Sequence, residues 1–151
     1  MPNSSSSLAD SVNLLLDRAA IEDLITTVLQ CIDSRDFHGV ADRFTEDAEI
    51  VLPFASYPVS ELVATSEKIF APFQATHHMV GNIAVTIDGD RAQSRQYVRA
   101  THVPDTSSAD RHADVGGWYD WQYRRTSSGW RITRYELTFI FSDGIEFEAT
   151  T

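Results

Sequence analysis

Three histidines in the middle of the chain, His77, His78 and His102, have side chains suited to acid–base chemistry. His77 and His78 are adjacent, so they point to opposite faces of a strand, and His102 follows beyond the turn at residues 88–90. That Asp-Gly-Asp turn is typical of a β-hairpin, and symmetric pairing around it predicts that paired residue numbers sum to about 177 or 178. His78 then lies opposite Ala100, with His102 diagonally next to it on the same face. Two imidazoles on one concave face would form an acid–base pair, and the alternative is two unrelated hydrogen-bonded histidines.

Asp33 is the carboxylate that could serve such a histidine. It follows an apolar helical stripe, where a carboxylate opposes the helix dipole and a cation is normally preferred. One interpretation is that Asp33 forms a turn with the help of Ser34. The other is that it orients and charges a histidine, as in acid–base dyads. The residues alone favour the turn, and the dyad stays the second interpretation.

Aromatic residues alternate with other side chains between residues 118 and 123, so one of the two rows must face inward. Tyr119 belongs to one row with Trp121 and Tyr123, and its phenol could help a catalytic histidine as a hydrogen-bond donor. Most aromatic residues in such a pattern belong to a core. The further side chains expected to bind a substrate are Leu52, Phe54, Tyr97, Trp118 and Phe139.

Other kinds of site are not signalled by the sequence. It contains no phosphate loop, nucleotide fingerprint, nucleophile elbow or set of four metal ligands, so neither a cofactor nor a metal is expected. A net charge of −10 and a pI near 4.7 disfavour nucleic acid as a partner. No basic amphipathic stretch suggests binding to a membrane surface. Cys31 is the single cysteine and is expected to be a buried, inert thiol.

The elements that must position these residues change character near residue 74. Apolar residues recur at helical spacing over residues 10–34, which predicts a long helix, and Asp36 is expected to cap a second, short helix. A short strand at 48–53 and a third helix at 60–70 complete the first half. Four strands follow, at 76–87, 92–103, 115–126 and 130–141. Helices first and a meander last predict an α+β fold, in which helices close one side of a strongly curved antiparallel sheet.

A chain of 151 residues fits one domain. It is expected to span residues 10–143, between a disordered tail at 1–9 and a C-terminal tail at 144–151. The serine-rich start has neither the basic nor the apolar region of a signal peptide, and no apolar run approaches the roughly 20 residues of a membrane span. A cytoplasmic location is therefore expected.

Six short segments of the chain resemble SnoaL-like members of the NTF2-like superfamily. They are DRAAI at 17–21, CIDSRDF at 31–37, FTEDA at 44–48, THHMVGN at 76–82, IDGDRA at 87–92 and GWRI at 129–132. Within the superfamily the resemblance is to scytalone dehydratase and to the hexachlorocyclohexane dehydrochlorinase type. The family fold is a cone-shaped curved sheet packed against N-terminal helices, which agrees with the architecture predicted from periodicity.

The resemblance assigns roles to the three chemical candidates. The catalytic aspartate of the dehydratase falls on Asp33, the strand histidine of both enzymes on His78, and the second dehydratase histidine on His102. This implies a His–Asp dyad in a cofactor-independent lyase of secondary metabolism, which eliminates water or a similar group from a small hydrophobic cyclic or polyketide-type substrate. The alternatives are an isomerase or cyclase of polyketide or steroid type, and a non-catalytic ligand-binding domain. The resemblance also implies a homo-oligomer, with a trimer favoured over a dimer.

Three positions depart from the dehydratase pattern. Ile32 stands where the dehydratase has a tyrosine, and Leu52 stands where it has a second, water-holding tyrosine. Tyr119 lies near the position of an asparagine that contacts substrate. The substrate is therefore expected to differ from scytalone, with His102 or Tyr119 as the donor to the reacting group.

Overall fold

The computed structural model of the protein describes residues 7–144. The predictions for residues 1–6 and 145–151, which are parts of the two tails, lie outside the described residues. Within residues 7–144, no helix has both the length and the apolar character needed to cross a membrane.

Three helices come early in the chain and form one layer. Their bounds are α1 Leu8–Asp33, α2 Phe37–Ala41 and α3 Leu62–Phe70, with a 3-10 turn at Val59–Glu61 before α3. Ser7 caps α1 through a capping box with Asp10, so the helix starts two residues before its predicted beginning. Asp36 caps α2 as predicted, because its side chain accepts a hydrogen bond from the Gly39 N–H at 2.8 Å.

Only the second half of α1 is buried. Its apolar residues in the core are Ile21, Leu24, Ile25, Val28, Leu29 and Ile32. The first turns instead expose large apolar side chains, namely Leu8, Val12, Leu14, Leu15 and Leu16. The part of α1 that enters the core is therefore the part that ends at Asp33.

Six strands form one sheet in the order β2-β1-β6-β5-β4-β3. The strands are β1 Phe44–Leu52, β2 Ala55–Pro58, β3 Ala75–Asp88, β4 Arg91–Val103, β5 Ala113–Thr126 and β6 Gly129–Gly144. All neighbours are antiparallel except β1 and β6, which run parallel. The predicted α+β class, with an N-terminal helix on a curved, mostly antiparallel sheet, is confirmed. The sequence pattern does not predict β2 or the parallel pair, because β2 is four residues long and the pair joins distant segments.

The hairpin of β3 and β4 has the predicted register at the histidines. His78 pairs with Ala100 and Thr76 pairs with His102, so His78 and His102 are diagonal neighbours on one face. A bulge after Gly81 shifts the pairing by one residue on the side nearer the turn. The predicted diagonal placement of the two imidazoles is therefore confirmed.

The sheet has an inner face that packs in the core and an outer face. Tyr119, Trp121 and Tyr123 are each at most 2% exposed, which places their row on the inner face. Side chains alternate along a strand, so Trp118 and Asp120 lie on the outer face. The row that contains Tyr119 is therefore the core-facing row.

Candidate active site

His78 and Asp33 meet where the end of α1 reaches the start of β3. The Nδ1 atom of His78 lies 2.6 Å from Oδ1 of Asp33, and the backbone N–H of His78 donates to Oδ2 at 2.9 Å. The His78 side chain is 5% exposed and that of Asp33 is 24% exposed. An ionised carboxylate only accepts hydrogen bonds, so Nδ1 carries the proton and the lone pair on Nε2 is the basic position. The pair has the geometry of a general base that is oriented by a carboxylate.

A sharp turn after α1 holds Asp33 in this position. The N–H of Arg35 donates to the Ile32 carbonyl at 3.0 Å, and the N–H of Asp36 donates to the Cys31 carbonyl at 2.9 Å. These two bonds define a Schellman motif, in which the residue after the helix cap is usually glycine or asparagine in the left-handed region. Arg35 has a φ of 65°. Arg35 therefore adopts a backbone conformation that is uncommon for a residue with a long side chain.

Asp33 receives a third hydrogen bond besides the two from His78. Oγ1 of Thr76 donates to Oδ1 of Asp33 at 2.9 Å, and Nη1 of Arg35 lies 3.0 Å from the same Thr76 oxygen. Burial pushes the pKa of the Asp33 carboxyl upward, but the hydrogen bonds from His78 and Thr76 and the charge of His78 outweigh it. The net pKa of Asp33 is below its ordinary value, so the carboxylate is ionised at neutral pH.

His102 is the second imidazole of the site. Its ring centroid lies 6.0 Å from that of His78, and the rings of Phe70 and Phe73 lie 6.3 and 5.0 Å from it. Burial, together with electrostatic repulsion from His78 and Arg35, lowers the pKa of His102 to about 4. The ring is therefore uncharged at neutral pH. In this state it can hold a hydrogen bond to a substrate oxygen, but it is not an imidazolium acid.

Tyr119 lies on the same inner face. It is 2% exposed, it pairs with Gln96 of β4, and its ring centroid is 5.0 Å from that of Tyr135. Burial raises the pKa of Tyr119 to about 12, a hydrogen bond with Tyr135 opposes this rise, and the charge of Asp33 adds to it. The phenol is therefore protonated at neutral pH and can serve as a hydrogen-bond donor.

The five predicted substrate-binding residues are divided between different parts of the sheet. Leu52 packs against the core at the end of β1. Phe139 is 41% exposed and pairs with Gly117, next to inner-face Val98. Phe54 is 64% exposed in the turn between β1 and β2. Leu52 and Phe139 therefore share the inner face with His78.

Tyr97 and Trp118 lie on the outer face, on the opposite side of the sheet from His78. They pair across β4 and β5 with ring centroids 6.3 Å apart, and the guanidinium of Arg95 lies 5.0 Å from the centroid of the Trp118 ring. Tyr97 precedes inner-facing Val98 and Trp118 precedes inner-facing Tyr119. Adjacent residues of a strand point to opposite faces, so both side chains point away from the core. We therefore leave Tyr97 and Trp118 out of the proposed active site.

Four residues at the site were not among the sequence candidates: Arg35, Phe70, Phe73 and Thr76. Thr76 precedes His78 by two positions, which puts both side chains on the same face of a strand. This spacing is a signal from which Thr76 could be identified. Phe70 has no comparable signal, because its contact with the histidines depends on how α3 docks onto the sheet.

The alternatives to the histidine pair within residues 7–144 are a metal centre and a groove on the outer face. Among residues 7–144, no group of three or more His, Cys, Asp or Glu side chains could hold a metal ion. A groove of about 380 Å³ lies on the outer face, and its wall includes Arg95, Asp120, Arg134 and Glu136. Arg95 binds Asp120 at 2.7 Å and Arg134 binds Glu136 at 3.0 Å, so the charges in the groove are paired with one another. The histidine pair on the inner face is therefore the stronger candidate for a reactive site.

Residues 13–136 of the chain match a family model described as a SnoaL-like domain. An uncharacterized protein of Mycobacterium tuberculosis is 33% identical over an alignment of 136 residues, and the match covers 87% of this chain and 90% of that protein. The matched range of the family model contains all four residues expected to be catalytic, Asp33, His78, His102 and Tyr119.

Solved structures of other proteins have the same architecture. A candidate aromatic ring hydroxylase from Novosphingobium aromaticivorans is 32% identical, with a TM-score of 0.78 over 87% of this chain and 94% of that one. A candidate scytalone dehydratase from the same organism is 22% identical, with a TM-score of 0.82 over 92% and 94%. A hexachlorocyclohexane dehydrochlorinase from Novosphingobium barchaimii is 18% identical, with a TM-score of 0.76 over 89% and 94%. At such identities the last two show that the fold is shared.

Proposed function

Because the chain belongs to the SnoaL-like domain family, we propose that it is a cofactor-independent lyase acting on a small hydrophobic cyclic or polyketide-type substrate. The observation that carries the proposal is the 2.6 Å contact between Nδ1 of His78 and Oδ1 of Asp33. A buried imidazole held by a carboxylate presents a basic Nε2, and His102 lies beside it on the same face. Similar solved structures include proteins named for dehydration and dehydrochlorination, which are eliminations.

In the proposed elimination, Nε2 of His78 takes a carbon-bound proton from the substrate. The electron pair left on carbon forms the new double bond while the bond to the leaving hydroxyl breaks. The hydroxyl departs as water after it receives a proton from the His78 imidazolium, which restores the base. Asp33 stabilises that imidazolium and keeps the ring in the tautomer with a free Nε2. General acid–base catalysis of this kind contributes about 10²- to 10⁴-fold to a rate.

His102 and Tyr119 supply hydrogen bonds in this mechanism. As negative charge develops on a substrate oxygen, the neutral imidazole of His102 donates its single N–H to that oxygen in place of the backbone at Ala113 and Ala100, to which it is hydrogen-bonded in the free protein. Tyr119, whose pKa is raised to about 12, is the second donor on the same face. Donors fixed in advance and shielded from water stabilise such charge more strongly than solvent does.

The neutral state of His102 also favours a second candidate reaction, isomerisation or cyclisation of a polyketide-type or steroid-type ketone. A neutral imidazole is suited to polarising a carbonyl while a neighbouring base removes the adjacent proton. His78 would then return the proton to another carbon, or the enolate would form a carbon–carbon bond. The mass of the product separates the reactions, because elimination of water lowers it and isomerisation leaves it unchanged.

We also propose that the protein forms a homo-oligomer through its outer sheet face, a trimer rather than a dimer. Met79 and Tyr97 are 61% and 53% exposed on that face, beside the paired charges of the groove, and exposed large apolar side chains with a polar rim are a feature of interaction sites. Light scattering of the intact protein at micromolar concentration measures the assembly directly. A monomer mass would contradict the oligomer, and a dimer mass would contradict the trimer.

The lyase proposal is tested first by observing the tautomer of His78 without any substrate. Long-range ¹H–¹⁵N spectra distinguish a ring protonated on Nδ1 from one protonated on Nε2. We expect the Nδ1–H tautomer in the wild type and its loss in Asp33→Ala, with His77 on the outer face as an unaffected internal control. If His78 has its proton on Nε2 in the wild type, or keeps the same tautomer in Asp33→Ala, a non-catalytic ligand-binding domain becomes the better interpretation.

A further inference from the structure

The direction of the hydrogen bonds between Arg35, Thr76 and Asp33 can be deduced from their chemistry. A guanidinium carries only donors, so the Thr76 oxygen must accept from Nη1 of Arg35, at 3.0 Å. The single hydroxyl proton of Thr76 is then free to point only at Oδ1 of Asp33, at 2.9 Å. Arg35 therefore fixes the direction in which Thr76 donates.

The guanidinium of Arg35 is itself held at several points. Its Nη2 donates to the carbonyl of Phe73 at 3.1 Å, and its Nη1 lies 3.4 Å from the carbonyl of Ile32. Its central carbon lies 5.1 Å from the centroid of the Phe70 ring. Arg35 thus links the end of α1 to the segment that enters β3.

Phe70 lies between Arg35 and the two imidazoles. Its ring centroid lies 6.3 Å from that of His78 and 6.3 Å from that of His102. The ring stacks parallel to His102, with an interplanar angle of 9°. The guanidinium of Arg35 therefore has two roles. It orients the hydroxyl of Thr76 toward Asp33, and it packs on the Phe70 ring that contacts both histidines.

The backbone of Arg35 supplies a separate observation. Its φ of 65° lies in the left-handed region, which glycine adopts at no cost and which costs other residues about 1 kcal/mol or more. Uncommon backbone conformations cluster at functional sites, where the surrounding contacts hold them, and the side chain of Arg35 makes such contacts here.

We propose that Arg35 and Thr76 are positioning residues that act in series to hold Asp33 in the orientation that keeps the His78 proton on Nδ1. Neither residue touches the reacting atoms. This inference rests on the proposed His78–Asp33 dyad and adds to it the two residues that maintain it. Without them, Oδ1 of Asp33 loses one of its two side-chain donors and is free to turn away from the ring.

The test measures how fast the Nδ1 proton of His78 exchanges with solvent, by NMR of the full chain. We expect Thr76→Val and Arg35→Gln each to raise the exchange rate about tenfold, as loss of a hydrogen bond to a charged group would. Thr76→Ser keeps the hydroxyl and should exchange as slowly as the wild type. Because the two residues act in series, the Arg35→Gln/Thr76→Val double variant should exchange no faster than the faster single variant.

A matched control exists on the outer face, where Arg99 and Thr101 bind the carboxylate of Asp114. Nε of Arg99 lies 3.0 Å from Asp114, and Oγ1 of Thr101 lies 2.6 Å from it. Arg99→Gln and Thr101→Val remove the same groups without touching the dyad, so they should leave the exchange of the His78 proton unchanged.

The outcomes separate the two proposals. If the wild type shows a slowly exchanging Nδ1 proton and the Arg35 and Thr76 variants fold but leave it unchanged, the positioning role is wrong and the dyad stands. If the wild type has no proton on Nδ1, both proposals fall. Should Arg35→Gln not fold, Arg35→Met keeps the length of the side chain and removes every donor, and slow exchange in that variant would equally contradict the positioning role.

Discussion

The buried neutral state of His102 predicts a specific loss of stability in mild acid. An unfolded chain takes up a proton on this histidine at the ordinary pKa of 6.5, whereas the folded protein resists protonation until about pH 4. Each pKa unit corresponds to about 1.4 kcal/mol, so the full difference is about 3 kcal/mol. The stability that this group contributes is complete above pH 6.5 and decreases as the pH falls toward 4. Burial is the main cause of the lowered pKa of His102. The nearby groups His78 and Arg35 lower this pKa further by electrostatic repulsion.

The assay is urea unfolding of the wild type and His102→Asn at several pH values between 7 and 4.5. An asparagine does not titrate, so the variant lacks the loss of stability that protonation of His102 causes. Between pH 7 and 4.5 we expect the free energy of unfolding to decrease by roughly 2 to 3 kcal/mol more in the wild type than in the variant. Asp33 does not interfere, because its pKa lies below 3.8. His77→Asn on the outer face is the matched control and should keep the slope of the wild type. Parallel curves for the wild type and His102→Asn would refute the conclusion that the fold keeps His102 uncharged.

Three further predictions concern Asp33 and a glycine of β5. On any cyclic hydroxy-ketone that the wild type converts, Asp33→Ala should lower kcat/KM by about 10²- to 10⁴-fold, and full turnover in the variant would remove the mechanism. The stability contributed by ionised Asp33 should be present above pH 3.8 and disappear at lower pH, so urea unfolding of the wild type and Asp33→Asn should converge as the pH drops toward 2. Gly117→Ala should cost about 2 kcal/mol or more in thermal or urea unfolding, because the new Cβ would lie 1.9 Å from the Thr138 carbonyl oxygen. Gly81→Ala, where the new Cβ meets no atom within 4 Å, should change stability by less than about 0.5 kcal/mol, and equal losses at the two sites would contradict the steric argument.

The placement of the two histidines could be predicted from the sequence because it depends on local rules. A tight turn sets the register of its hairpin, and strict alternation then decides which side chains share a face. The same alternation shows why Tyr97 and Trp118 are on the wrong side for the site. Tyr97 is adjacent to inner-facing Gln96, and Trp118 is adjacent to inner-facing Tyr119. Alternation separates the two rows of each strand, but the tertiary structure decides which row faces the core.

The remaining parts of the site depend on tertiary packing. The residues alone favoured a turn role for Asp33, and Asp33 does stand at a turn, yet its carboxylate also reaches across to β3. No periodicity predicts that reach, because it is set by the angle at which α1 crosses the sheet. The stacking of Phe70 on His102 likewise follows from how α3 docks. Contacts between segments distant in sequence carry no local signal.

The division of the dyad between two halves of the chain has a consequence for biosynthesis. His78 belongs to β3–β6, where each strand pairs with its neighbour in sequence, whereas the parallel pairing of β1 with β6 brings together residues as distant as Thr45 and Ile132. Closing so long a loop costs chain entropy before any contact compensates for it, so such contacts form late. The half of the chain that carries Asp33 leaves the ribosome first, and α1 later packs mainly against β3 and to a smaller extent against β6. A nascent or truncated chain that ends before β6 can already bring Asp33 to β3, but it lacks the strand that joins β1 to β5, so the basic site should be held firmly only on the completed polypeptide.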